Sequence, residues 1–226
     1  MPGAVIIGAG PGIGRSVARR FAREGLPVAL VARSERNLEG LADAVRPLGV
    51  PVVTATADVS DAPALRAALD TVVAELGVPD VAVYNAALIR PDTIGELPLT
   101  AHLDAWAVNV GGALTAAAHL APAMARRGSG SLLLTGGMPK AKASHVSLSL
   151  GKAGLRSLAE LLDQRYGPDG VHVATVTVAG PVAPGTPFDP DDIAEHYWRL
   201  HTQPRDAWQA EIVHTERTTT AATATG

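Results

Sequence analysis

No cysteine occurs among the 226 residues, which excludes a disulfide framework and a thiolate metal site and fits a reducing compartment. Aromatic side chains make up only 4% although apolar residues reach 47%. The core therefore has to be built from Ala, Val, Leu and Ile, a composition suited to helices packed closely on a sheet. No run approaches the roughly 20 apolar residues of a membrane-spanning helix. The first apolar run begins at Ala4 and passes at once into glycines and arginines, leaving no room for a charged leader with a cleavage site. Charge of one sign is lacking too: the formal net charge of -3 is spread along the chain, with no basic face for nucleic acid and no acidic tail. The seven histidines are scattered without paired carboxylates, so no metal-ligand spacing appears. No Gly-x-Ser-x-Gly follows a strand to form a nucleophile elbow. A cytoplasmic protein without nucleic-acid, membrane or metal partners is expected.

What is present is alternation. The short apolar runs "AVIIGA", "PVALVAR", "PVVTATA", "DVAVYNA", "SLLLTG" and "VHVATVTV" are separated by Ala/Leu/Arg segments of helical period. Near-continuous apolar strands are those of a parallel sheet covered on both faces. The expected fold is therefore α/β: a doubly wound parallel sheet, the Rossmann fold, in a single domain. Gly25, Gly49, Gly77 and Gly128 read as left-handed helix ends, and Ser34 and Asp61 as helix caps. One long helix is expected over Ala101–Arg127 and another over Ser144–Tyr166. From Gly180 the chain becomes rich in Pro and Gly and reads as a loop, followed by a short helix around "DDIAEHYWRLH". The domain is read as 1–214, and 215–226, polar and aperiodic, as a flexible tail.

The strongest local signal is "GAGPGIG", Gly8 to Gly14, placed after the first strand and at the start of a helix. Helix N-terminal amides favour a pyrophosphate, and absent side chains let the backbone approach it. The spacing Gly8, Gly12, Gly14 resembles that of the short-chain dehydrogenase/reductase family. Further segments match it in order: "ADVSD" with Asp58 and Val59, "YNAA" with Asn85 and Ala86, "VNVGG" with Asn109, "GSLLLTGG", and "GKAGLRSLAELL" with Lys152. The resemblance spans Ala4 to about Val182. It implies a nicotinamide dinucleotide held by Gly8, Gly10, Gly12, Ile13 and Gly14, by Asp58 and Val59 at the adenine, by Asn85 and Ala86, by Lys152, and by Gly180, Pro181 and Val182. The second strand ends "VARSER", with Ala32 where an NAD site would place an acid. Arg33 and Ser34, with Arg36 nearby, favour NADP(H) over NAD(H).

One element of the resemblance is missing. The family pairs hydride transfer with proton transfer by a tyrosine four residues before the lysine, where both share a helix face. Lys152 fits the lysine, but position 148 is leucine. The family's serine falls on Gly137 when aligned on the strand, or on Thr135 when counted back from Leu148, because "MPKAKASHV" is about two residues short of the pattern. Lys152 and Asn109 remain in their implied roles on the cofactor ribose and at a helix kink. At 100° per residue, Ser149 and His145 lie about 60° and 20° from the direction of Lys152. Together with Thr135 they are the candidate replacement donors; an imidazole titrates near neutrality. The late segment adds Tyr197, His196, His201 and Trp198 beside the expected pocket.

Two functional readings follow. The first is an NADP(H)-dependent oxidoreductase of a small carbonyl, alcohol or imine with a non-standard proton donor. The second is a non-redox dinucleotide-binding protein, or an enzyme reusing the pocket for another reaction. A homodimer or homotetramer through the two long helices is implied by the resemblance.

Overall fold

The computed structural model describes residues 2–216; of the tail expected at 215–226, positions 217–226 lie outside them. Seven strands form one sheet: β1 (Ala4–Ile7), β2 (Val28–Ala32), β3 (Val52–Thr56), β4 (Val81–Tyr84), β5 (Gly130–Gly137), β6 (Val171–Val178) and β7 (Glu211–His214). Their order is β3-β2-β1-β4-β5-β6-β7, and every pairing is parallel. The intervening helices are α1 (Ile13–Arg23), α2 (Glu35–Val45), α3 (Ala62–Leu76), α4 (Leu99–Trp106), α5 (Gly112–Arg127), α6 (Val146–Tyr166) and α7 (Pro190–His201).

Alternation along the strands sorts the core into two layers. Val5, Ile7, Leu132 and Leu134 pack against helices α3, α5 and α6, whereas Ile6, Leu30, Leu133 and Val176 pack against α1, α2 and α7. Because both faces are covered, β1, β4 and β6 are buried at every residue, as parallel strands between two helix layers must be. Ser34 and Asp61 cap α2 and α3 by accepting the amides of Asn37 and Ala64.

The structure differs from expectation in two places. The helix expected over Ala101–Arg127 is α4 and α5 joined by a π turn, Ala107–Gly111. The Tyr84 hydroxyl donates to the Val108 carbonyl from the side, and such an insertion into the helical ladder widens a turn. The second difference is β7, which is not among the six strand runs named from the sequence. Its burial alternates exposed and half-buried, so it carries no apolar run to announce it.

The sheet's switch point, where β1 pairs with both β2 and β4, is closed by Gly8. Its φ is +83°, and a Cβ there would stand 2.3 Å from the Ala86 amide nitrogen. Gly49 has a similar φ of +78°, with nothing within 4 Å of its Cβ position. Gly49→Ala is therefore expected to cost about 1–2 kcal/mol of unfolding free energy from backbone strain alone. Gly8→Ala adds overpacking worth about 1–3 kcal/mol more. Urea denaturation of the two variants measures the difference.

Candidate functional site

Beyond the C-terminal ends of β1 and β4 lies a cleft of about 1380 Å³. That exceeds the roughly 300–1,000 Å³ of a pocket for one drug-sized molecule and accommodates a dinucleotide together with a small substrate. One wall is the loop from Gly8 to Gly14. A Cβ at Gly12 would meet nothing within 4 Å, and one at Gly10 only the Gly8 carbonyl oxygen at 4.0 Å. Side chains at these two positions would project into the cleft. Helix α1 starts at Ile13 with no side-chain cap; the Arg15 amide is taken by the Gly10 carbonyl, and the amides before it and the helix dipole favour an anion. This wall fits a pyrophosphate.

At the β2–β3 end the cleft is lined by Ala32, Arg33, Ser34 and Asn37, and by Ala57, Asp58 and Val59. The Ser60 hydroxyl and amide hold the Asp58 carboxyl below the usual carboxylate range, and Arg33 adds to the effect. Asn37 escaped the sequence reading; its position in the first turn of α2, three residues after the Ser34 cap, is the signal that could have found it. At the other end the lining includes Asn85 to Ile89, Thr135 to Lys140, Lys142, His145, Leu148, Lys152 and Gly180 to Val182. Every residue expected at the cofactor thus lies on the cleft wall, except Arg36, which was expected only nearby.

The candidate proton donors are separated by the fold. Leu148 and Lys152 are both buried on α6 and both reach the cleft. The Lys152 ammonium donates to the Thr135 carbonyl at 2.6 Å. Burial, with the Arg156 guanidinium adding, pulls the Lys152 pKa down to about 8. Thr135 offers that carbonyl rather than its hydroxyl. Side chains alternate along β5, and the Thr135 Oγ1 lies in the α7 layer, accepting from the Tyr197 hydroxyl at 2.7 Å and donating to Asn85 Oδ1 at 3.0 Å. Asn85 Nδ2 in turn donates to the Gly8 carbonyl at 2.9 Å, so this chain of bonds braces the glycine loop.

Ser149 does not line the cleft: its Oγ accepts the Lys142 amide at 3.0 Å and donates to the Lys142 carbonyl at 3.4 Å. His145 does line it, half-buried at the start of α6. Asn109, fully buried in the π turn, accepts the Leu88 amide at 2.8 Å on Oδ1 and so holds the segment after β4. A Cβ on Gly137 would lie 3.7 Å from Lys152 Cε. Of the two alignments for the family's serine, Gly137 is therefore the one whose side-chain direction faces Lys152.

The late aromatic and histidine residues are absent from the cleft wall. Tyr197 is buried on Thr135, Trp198 packs edge-on against Phe21, His201 bonds Ser131, and His196 bonds His214. A feature missed from sequence is Asp92, buried before α4, whose carboxylate accepts both the amide and the hydroxyl of Ser147. His102 Nδ1 donates to Ser147 Oγ at 2.8 Å. The first turn of α6, and with it Leu148 and Lys152, is anchored by this side chain from another segment.

A doubly wound parallel sheet with a glycine cradle at its switch point defines a dinucleotide-binding domain. The family model described as short chain dehydrogenase matches residues 3–189. The short-chain reductase protein NovJ of Streptomyces niveus is 32% identical over 196 residues, 85% of this chain and 72% of that one. The 11-beta-hydroxysteroid dehydrogenase A of Sesamum indicum is 32% identical over 178 residues, 76% of this chain but half of its own length. An alcohol dehydrogenase from the archaeon Thermococcus sibiricus, solved with 5-hydroxy-NADP, superposes with a TM-score of 0.87 at 26% identity, over 96% of this chain and 97% of that one. The chain belongs to the short-chain dehydrogenase/reductase family, oxidoreductases that bind nicotinamide dinucleotides and act on small molecules. Among the described residues no helix is long and apolar enough to cross a membrane.

The Lys152 environment has a pH consequence. Its folded pKa, about 8, lies below the unfolded value of 10.5, so between these pH values the unfolded chain binds more protons and stability from this group rises with pH. Below pH 8 both states carry the ammonium and the contribution is flat and unfavourable. Lys152→Met removes this dependence, and urea midpoints of the two proteins from pH 7 to 10.5 should converge as pH rises if the variant is the more stable at pH 7.

Proposed function

We propose that the protein is an NADP(H)-dependent oxidoreductase of a small carbonyl, alcohol or imine, working without the family's tyrosine. The observation that carries this reading is the pairing, in one cleft, of the intact cradle at Gly8–Gly14 with Lys152 and the apolar Leu148. A bound dinucleotide supplies or takes up hydride at its nicotinamide ring. The chain supplies the rest. The loop amides and α1 hold the pyrophosphate, Arg33, Ser34 and Asn37 receive the 2′-phosphate, and Lys152 holds the nicotinamide ribose. Asp58 stays ionised beside the adenine.

Reduction of a carbonyl also needs a proton at oxygen. Leu148 has none to give, and the hydroxyls of Ser149 and Thr135 are engaged away from the cleft. His145 lines the cleft and, unlike Thr135, does not have its side chain bonded to Asn85 and Tyr197; it delivers the proton directly or through water. An iminium substrate needs no donor at this step, because its nitrogen already carries the proton. General acid catalysis contributes about 10²- to 10⁴-fold, so its loss slows such an enzyme without abolishing hydride transfer.

The same helix α6 that carries the site presents Leu150 and Leu161 to solvent, as α4 does Leu103 and Trp106 and α5 does Leu114. Self-association into a dimer or tetramer covers these side chains, and a cytoplasmic setting agrees with the lack of cysteine.

Loss of NADPH absorbance with at least one member of a carbonyl and imine panel, abolished by Lys152→Ala, is the expected result. A melting temperature raised by NADPH with no turnover across the panel would favour the binding-protein reading instead. Arg33→Ala should lower the ratio of NADPH to NADH affinity about tenfold, the equivalent of one charged contact of about 1.4 kcal/mol. Leu148→Tyr with Gly137→Ser, which the 3.7 Å clearance at Gly137 admits, should raise carbonyl turnover at least tenfold. Unaltered turnover in a folded double variant would contradict the placement of the missing acid.

A further inference from the structure

The charges along the cleft are not evenly signed. At the β2–β3 end Arg33 faces Asp58, but at the β5–α6 end the ionisable lining side chains are Lys140, Lys142, His145 and Lys152, with no carboxylate among the described residues. The chain as a whole has 22 acidic against 19 basic residues, so this end runs against the overall balance. Lys152 is bonded to the Thr135 carbonyl and assigned to the cofactor ribose. Lys140 and Lys142 are exposed, and among the described residues neither takes part in an ion pair.

The segment carrying these two lysines is fixed at both ends. At one end Arg156 donates to the carbonyls of Gly137 and Met138 at 3.1 and 3.3 Å, and Met138 sits at φ +47°. A residue other than glycine in that region stores strain and persists only where its surroundings over-determine it. At the other end the Lys142 carbonyl accepts the His145 amide at 3.0 Å, and Ser149 bonds both the amide and the carbonyl of Lys142. A buried hydroxyl is thus spent on holding a lysine at the rim. Ile89 and Val182, apolar and exposed, line the same cleft.

We infer that this end of the cleft takes an amphiphilic substrate whose anionic group, carboxylate or phosphate, is held by Lys140 and Lys142, with its aliphatic body against Ile89, Leu148 and Val182. Ser149 is the positioning residue for Lys142. The inference deepens the proposed function and rests on it for assigning this half of the cleft to substrate.

The test uses the full chain saturated with NADP+, so that a carbonyl ligand binds without turnover. Dissociation constants are measured for levulinate, for its neutral amide levulinamide, and for acetol phosphate, at low and at half-molar salt. Levulinate is expected to bind about tenfold tighter than levulinamide at low salt, and about equally at half-molar salt, since exposed charge contacts are modest and screened. In Lys140→Gln/Lys142→Gln the ratio falls to about one at low salt, and in Ser149→Ala it falls part of the way. The ratio of levulinate to acetol phosphate assigns the rim to carboxylate or to phosphate. Equal binding of levulinate and levulinamide by the unaltered protein, a ratio that persists in the double variant, or no binding of either anion would overturn the inference. If NADP+ itself fails to bind, the proposed function falls separately, and the same ratios measured on the protein alone decide the anion site.

Discussion

The cleft depends on the close approach of two backbones at the centre of the sheet. Gly8 follows β1 and meets Ala86 after β4 so closely that no side chain fits between them. Asn85, bonded to the Gly8 carbonyl, ties the same two segments. Because β1 and β4 are neighbours while their helices lie in opposite layers, the chain has to part above this seam. The parting creates the crevice that open α/β sheets use for ligands. Remove the seam and the glycine loop loses its floor, the first-turn amides of α1 lose their aim, and the segment after β4 is no longer held against the β5–α6 end.

Around that seam polar side chains do structural work that sequence alone disguises. Tyr197, Thr135 and Asn85 form a line of hydrogen bonds from α7 to the glycine loop. Asp92 anchors the start of α6 through Ser147, and Ser149 holds Lys142. The hydroxyls of four residues near the expected active site, Tyr197, Thr135, Ser147 and Ser149, are thus engaged in supporting the cleft. The site itself presents the buried Lys152 beside the apolar Leu148. An ammonium buried this way is kept by its bond to a backbone carbonyl, and burial makes its neutral form accessible near pH 8.

The layered sheet was legible in the sequence because five of the strands are buried, near-continuous apolar runs and the sixth, β3, is rich in β-branched residues, with period-breaking glycines after the helices. The cradle was legible because glycine spacing after a strand reports backbone approach rather than packing. Three things were not. β7 is a short edge strand with alternating exposure, a pattern that four residues cannot distinguish from loop. The π turn arises from a Tyr84 hydroxyl brought from another strand, a long-range contact invisible to helical periodicity. The side-chain directions of Thr135 and Ser149 depended on strand alternation and on hydrogen bonds to residues outside their own strand and helix. Helical angle alone placed Ser149 on the stripe of Lys152, while its hydrogen bonds draw it toward Lys142. The resemblance supplied the identity of Lys152 and Asn109; the fold supplied which of their neighbours share the cleft.

The measurement that bears most directly on this account is a crystal structure of the protein soaked with NADP+. The account predicts a dinucleotide with its pyrophosphate on the amides of the Gly8–Gly14 loop, its 2′-phosphate beside Arg33, and its nicotinamide ring next to Leu148 with Lys152 on the ribose. A cleft without dinucleotide density at saturating NADP+, or a dinucleotide bound elsewhere on the molecule, would contradict it.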